Sequence, residues 1–188
     1  MSNVDRPNGF RPVMHINGNP YTGGYRKYFS ASDNLAKGDL VEADGTGSAQ
    51  GYPSCGRAEA SDVIQGVVVG WEVNPDGLEN NYHVASAVYA VFIADDPDLI
   101  LEAQSDDGTL VVADVGQNVN FVVAALDTTT GASNMEIDGD TGATTATLPL
   151  KIIQFVDRID NDTSSANHRL LVAFNNHKFK GGTGTLGL

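Results

Sequence analysis

Four histidines (His15, His83, His168 and His177), one cysteine (Cys55) and three acidic clusters are the residues of this 188-residue chain with the most obvious capacity for chemistry. The histidines show none of the paired spacing that zinc sites use, and Cys55 stands apart from them. Cys55 lies in Tyr52-Pro53-Ser54-Cys55-Gly56 without the signature of a thiol nucleophile, so a buried, inert thiol is expected. Asp95-Asp96-Pro97-Asp98, Asp138-Gly139-Asp140 and Asp157 with Asp160-Asn161-Asp162 have the carboxylates that Ca²⁺ favours. None follows EF-hand spacing, and Asp is a routine turn residue, so turns are expected and no metal is assigned. Gly182-Thr183-Gly184-Thr185-Leu186-Gly187 spells the dinucleotide fingerprint GxGxxG. That motif needs a helix after it to meet the pyrophosphate, and one residue remains, so the match is spurious. No Gly-x-Ser-x-Gly elbow occurs, and carboxylate pairs for glycoside hydrolysis can be drawn in any acidic β protein. No catalytic residue and no cofactor is predicted, and the chain is read as non-enzymatic.

Residue types suited to recognition are concentrated in residues 1–30. Arg6, Arg11, Arg26 and Lys27 face a single acid there, Asp5, and are interleaved with Phe10, Tyr21, Tyr25, Tyr28 and Phe29. Pro7, Pro12 and Pro20 alternate with Gly9, Gly18, Gly23 and Gly24, which excludes a helix. The stretch is too aromatic for ordinary disorder. It reads as an extended arm that packs its rings on another surface, or alternatively on its own domain.

The elements behind this arm read as β. Val and Thr are abundant, and no run with the 3.6-residue helical period appears. Strands are expected over 40–43, 63–69, 71–73, 82–94, 99–104, 109–113, 119–126, 150–156 and 169–174. Asp44-Gly45, Asn74-Pro75-Asp76-Gly77, Asp107-Gly108 and Asn175-Asn176 are among the breakers between them. Asp107-Gly108 predicts a hairpin. Gly66 and Gly70 around Val67-Val68-Val69 predict a bent or bulged strand. Residues 127–147 form a long Thr/Gly/Ala-rich loop with one weak strand at 135–137, and 157–168 a second polar loop. The expected fold is all-β: a single β-barrel, jelly-roll-like or sandwich domain over 31–177. An extended N-terminal arm (1–30) precedes it, and a flexible Gly-rich tail (178–188) follows.

Charge divides sharply along the chain. Residues 1–57 sum to +1, residues 58–150 to −16 with no Lys or Arg, and residues 151–188 to +2. A block without cations offers nucleic acid no phosphate-neutralising face and is repelled by anionic lipid, so neither partner is expected. The longest apolar run, 87–94, is far too short to span a bilayer, and no secretory signal is read at the start. The mildly basic ends are expected to make contacts, and the acidic middle to face solvent.

Several segments resemble, in order, a family of tailed-phage structural proteins that decorate or cement the capsid. They are Asn8-Gly9-Phe10-Arg11-Pro12-Val13, Lys37-Gly38-Asp39-Leu40-Val41, Ile64-Gln65-Gly66-Val67, and Ile93-Ala94-Asp95-Asp96-Pro97-Asp98 with 99–104. Ala113-Asp114-Val115-Gly116, Leu150-Lys151-Ile152-Ile153 and Val156-Asp157-Arg158-Ile159-Asp160-Asn161 complete the series. Met14 and Ile159 depart from the family pattern, which often carries a basic residue and Pro at those places. The resemblance implies a non-enzymatic virion component, made in the bacterial cytoplasm, that binds the capsid exterior at capsomer junctions. Its implied partners are the major capsid protein and copies of itself, as homodimer or homotrimer. Phe10, Arg11, Tyr21, Tyr25, Arg26, Lys27 and Phe29 are the candidate partner-binding residues, and deleting residues 1–30 is expected to leave a folded domain. The alternatives are a head-fibre base or tail component, or a sugar- or Ca²⁺-binding β-sandwich module.

Overall fold

The computed structural model describes residues 2–30, 32–74, 77–85 and 89–188. Within them, short apolar runs separated by turn residues form β1 (Arg11–His15), β2 (Arg26–Tyr28), β3 (Leu40–Gly47), β4 (Pro53–Arg57), β5 (Gly66–Trp71) and β6 (Val91–Ala94). They are followed by β7 (Leu99–Gln104), β8 (Asn118–Val119), β9 (Phe121–Val122), β10 (Glu136–Ile137), β11 (Leu150–Phe155) and β12 (Arg169–Phe174). One five-stranded antiparallel sheet has the order β1-β7-β12-β11-β8, a second has β2-β6-β5-β3-β4, and β9 and β10 pair as a ribbon.

Alternation along the strands of the second sheet feeds two cores. Leu40, Val67 and Ala94 face the first sheet and join Leu99, Leu101, Leu150, Val172 and Phe174 in the main core. Their neighbours Val41, Val68 and Ile93 point the other way, into a smaller core with Tyr28, Leu35, Cys55 and Val91. Burial on both faces explains why Val67-Val68 is a continuous apolar run rather than an alternating one. The expected irregularity is present as a register shift between Val68 and Gly70, and the stretches 63–69 and 71–73 contribute to one strand rather than two. A side chain at Gly66 would put its Cβ 2.5 Å from the carbonyl of Ala94 on the adjacent strand.

The two antiparallel sheets are those of a sandwich. A closed barrel is not present among the described residues. The second sheet curls until its edges β2 and β4 touch, but they meet only at a parallel bridge between Phe29 and Ser54. The predicted hairpin at Asp107-Gly108 and strand at 109–113 are also absent. Asp106 accepts the amides of Gly108 and Gly139 on one carboxylate oxygen, which turns the chain away from β7 into a 3₁₀ turn at Val112–Asp114. The predicted strand over 82–94 is found as β6 and as the bridge between Leu35 and His83. Positions 86–88 of that strand, and 75–76 of the predicted turn at 74–77, lie outside the described residues.

Residues 2–30 do not form an arm standing off the domain. β1 is an edge strand of the first sheet, on β7, and β2 is an edge strand of the second, on β6. Pro12 is accommodated because an edge strand has one side free of ladder bonds. Phe10 is 1% exposed and packs edge-on against Phe121 in the main core. An arm made of edge strands and a core aromatic belongs to the fold, so its deletion would open both sheets. Further upstream, Asn3 bonds Asp162, Ser165 and Ala166, and Gln104 bonds Val4 and Arg6. The C-terminal residues are likewise tied down: Asn118 bonds the Thr185 carbonyl, Lys151 the Leu186 carbonyl, and the Leu188 amide the Gly116 carbonyl.

Several segments that carry the family resemblance meet at one joint. The Phe10 amide donates to the Gly38 carbonyl at 2.8 Å, the Gly38 amide to Val68, and the Gln65 amide to Val41. Gly9, at φ +63°, lies so close to the Gly38 carbonyl and Ser133 that a Cβ there would sit 2.6 Å from either. These motifs join the sheets through their backbone, while Asn8, Arg11 and Lys37 remain exposed.

Candidate functional site

The seven candidate residues divide into two groups. Phe10 is a core residue and is withdrawn from any contact surface. Tyr21 is partly buried against the main core and donates its hydroxyl to the Gly24 carbonyl, and burial raises its pKa. Arg11 is largely exposed but tied to Glu102 at 2.8 Å. The remaining four, Tyr25, Arg26, Lys27 and Phe29, lie together on or beside β2.

There they meet residues that sequence reasoning did not assign to a site. Tyr25 stacks on Phe92 with ring centres 4.4 Å apart, and the Arg26 guanidinium sits 5.1 Å from the ring centre of Phe179. Phe29 packs against Tyr52 at 5.7 Å. Phe92 arrives because β6 pairs with β2 in the register Lys27–Phe92. Tyr52 arrives because β4 closes on Phe29, and Phe179 because the 3₁₀ turn at Lys178–Lys180 follows β12. Tyr52 and Phe179, 39% and 50% exposed, line one groove, and Tyr25, 51% exposed, precedes β2 directly. The only advance signal for Phe179 was the basic His177-Lys178-Phe179-Lys180 segment, and for Tyr52 there was none.

Beneath this face is a buried polar anchor. The Tyr28 hydroxyl donates to Asp95 at 2.7 Å and accepts from Gln65 at 3.0 Å, while Arg26 approaches the same Asp95 carboxylate at 3.5 Å. Burial, then the Asp95 carboxylate, raises the Tyr28 phenol well above its ordinary value, so it stays a donor. Between β2 and the β3–β4 hairpin lies a groove of about 560 Å³, lined by Arg26, Lys27, Tyr28, Ala43, Tyr52, Pro53, Gln65 and Phe179. Its lining holds two cations and no carboxylate.

The charge partition read along the sequence has a different meaning in three dimensions. Cations of the two basic ends pair with carboxylates of the acidic middle of the same chain. Lys27 pairs with Glu72, Arg26 with Asp95, and Lys180 with Asp98. Arg11, Arg158 and Arg169 converge on Glu102 at 2.8, 3.3 and 3.8 Å. The ends are therefore largely internal counter-ions.

The other chemistry-bearing residues take structural positions. Cys55 is fully buried and its thiol is pushed up to about 12, chiefly by burial, which leaves it protonated and inert. His83, His168 and His177 are buried, and burial lowers all three, His177 to about 4. Among the described residues no group of three or more His, Cys, Asp or Glu is placed to hold a metal ion. The acidic clusters make turn bonds: Asp96 accepts from the Asp98 amide, Asp138 from Asp140, and Asp162 from Ser164. No family model matches the chain, and neither a curated protein nor a solved structure is significantly similar to it.

Proposed function

We propose that this protein is a non-enzymatic structural component of a tailed-phage virion that cements the capsid by binding its outer lattice. The face around β2 serves as its attachment surface. The observation that carries this reading is the groove in which the exposed rings of Tyr52 and Phe179 meet Arg26 and Lys27, with exposed Tyr25 directly before β2. Aromatic rings and arginine are the residue types that dominate binding energy at protein interfaces. The ordered resemblance of the chain's motifs to capsid decoration proteins supplies the class of partner, the major capsid protein together with neighbouring copies of the chain. A lattice presents the same contact many times, so an interface of modest strength becomes durable once copies engage neighbours. The acidic remainder of the surface keeps decorated particles dispersed.

Co-sedimentation with expanded capsids tests this. The wild type is expected to pellet with the shells, and the double variant Tyr52→Ala/Phe179→Ala to lose at least tenfold in occupancy while its circular dichroism is unchanged. Ile159→Ala, at a fully exposed position outside this face, is expected to bind normally. Wild-type protein that stays in the supernatant with every expanded shell overturns the reading.

A further inference from the structure

Backbone geometry at β2 adds something that side chains alone do not. Phe29 donates its amide to Pro53 and accepts from Cys55, so both of its main-chain groups point toward β4. Groups alternate along a strand, so Lys27, two residues earlier, turns its N–H and C=O to the same side. Arg26 and Tyr28 turn theirs to Ile93 and Val91 of β6. The ladder with β4, however, ends at the single Phe29–Ser54 bridge. The β4 chain leaves there because Tyr52 turns into the hairpin, exchanging bonds with Ser48 through its carbonyl and amide. Lys27 thus faces the groove with a donor and an acceptor that β4 does not engage.

We propose that this groove is a docking site for an extended acidic segment of a partner protein, which adds to β2 as a strand through the main chain of Lys27. Strand addition draws its affinity from backbone bonds and its selectivity from alternate side-chain positions. Here those positions meet the exposed rings of Tyr52 and Phe179 and the cations Arg26 and Lys27. With two cations and no carboxylate in the lining, the groove selects acidic over basic segments. The volume, about 560 Å³, is within the range of sites that enclose a ligand. The pairs Arg26–Asp95 and Lys27–Glu72 do not block it: Lys27–Glu72 is a surface pair that exchanges partners at little cost, and Arg26 is itself exposed and reaches the buried Asp95 only at 3.5 Å. Asp95 also keeps its bond from Tyr28 when Arg26 turns outward. The inference rests on the reading of this face as the attachment surface and specifies the chemistry of what attaches.

The test is amide exchange by NMR on the full ¹⁵N-labelled chain with two probes. One is the peptide acetyl-Asp-Val-Asp-Val-Asp-Val-amide, and the other its counterpart with Lys in place of each Asp. The acidic peptide is expected to slow exchange of the Lys27 amide at least tenfold and to shift the resonances of Tyr52 and Phe179. The basic peptide should do neither, and Lys27→Ala, which keeps the backbone groups, should weaken acidic-peptide binding several-fold. Unchanged Lys27 exchange at millimolar acidic peptide overturns the inference, as does equal protection by the basic peptide. Capsid co-sedimentation separates the two readings. Peptide docking without capsid binding refutes the lattice role alone, and capsid binding with an unprotected Lys27 amide refutes strand addition alone.

Discussion

Glu136 of β10 offers the sharpest test of how the acidic surface is held. Its Oε1 is buried without a hydrogen-bond partner, and burial, then the charges of Asp5, Asp106 and Asp107, lifts its pKa from 4.5 to about 7. In the unfolded chain Glu136 releases its proton near 4.5, so between about pH 4.5 and 7 the native state holds a proton that the unfolded state has lost. Raising pH through that window costs stability, and above pH 7 the whole cost is present. At about 1.4 kcal/mol per pH unit, the interval from 4.5 to about 7 would be worth about 3–4 kcal/mol for a group sealed from water. Glu136 is only partly buried, and solvent screening brings the expected figure to about 1–2 kcal/mol. Glu136→Gln keeps the shape of the protonated side chain and removes the charge. Urea unfolding of both proteins should therefore agree at pH 4.5 and differ by about 1–2 kcal/mol at pH 8, with the variant more stable. In a chain of this size the gain corresponds to about 2–8 °C in melting temperature. Because burial is the largest cause, 0.5 M NaCl should trim the difference without abolishing it. A variant that is equally or less stable than wild type at pH 8, or one that gains as much at pH 4.5, refutes the reasoning.

Other consequences of the fold can be checked by similar means. Phe10→Ala empties a core site against Phe121 and should cost about 3–5 kcal/mol in urea unfolding, where a contact residue on a free arm would cost almost nothing. Removing residues 1–30 should abolish the near-ultraviolet dichroism of the native fold, because both sheets lose an edge strand. Glu102→Ala leaves the guanidiniums of Arg11, Arg158 and Arg169 crowded without their carboxylate, and should lower stability by about 2–3 kcal/mol. Cys55 should be silent to a thiol reagent in the native protein and react stoichiometrically once unfolded; rapid labelling of the native state would contradict its burial.

How much of this was readable in the chain depends on the range of the interaction concerned. The strands 99–104 and 169–174 coincide with β7 and β12 because dense apolar residues between turn residues leave little choice. The bulge at Gly70 was readable because glycines on either side of a valine run inside a strand have few other uses. By contrast, β4 was missed because Pro53-Ser54-Cys55-Gly56-Arg57 has no strand propensity of its own and pairs only because Val41 and Ala43 lie opposite. The candidate site was half legible. Tyr25, Arg26, Lys27 and Phe29 are neighbours in the chain and remain so in space, but Tyr52 and Phe179 join them through strand pairing that no local pattern announces.

By itself the sequence determined the all-β class, the position of most strands and the uneven distribution of charge, because each is a property of composition or of short-range alternation. Only the tertiary structure decided that the aromatic N-terminal stretch supplies an edge to each sheet, and that Phe10 belongs to the core. It also decided that cations of the basic ends pair with Glu72, Asp95, Asp98 and Glu102 of the acidic middle of their own chain. A cation reaches a carboxylate 45 to 91 positions away only when a specific strand order puts them side by side, as the order β2-β6-β5 does for Lys27 and Glu72 and β1 beside β7 does for Arg11 and Glu102.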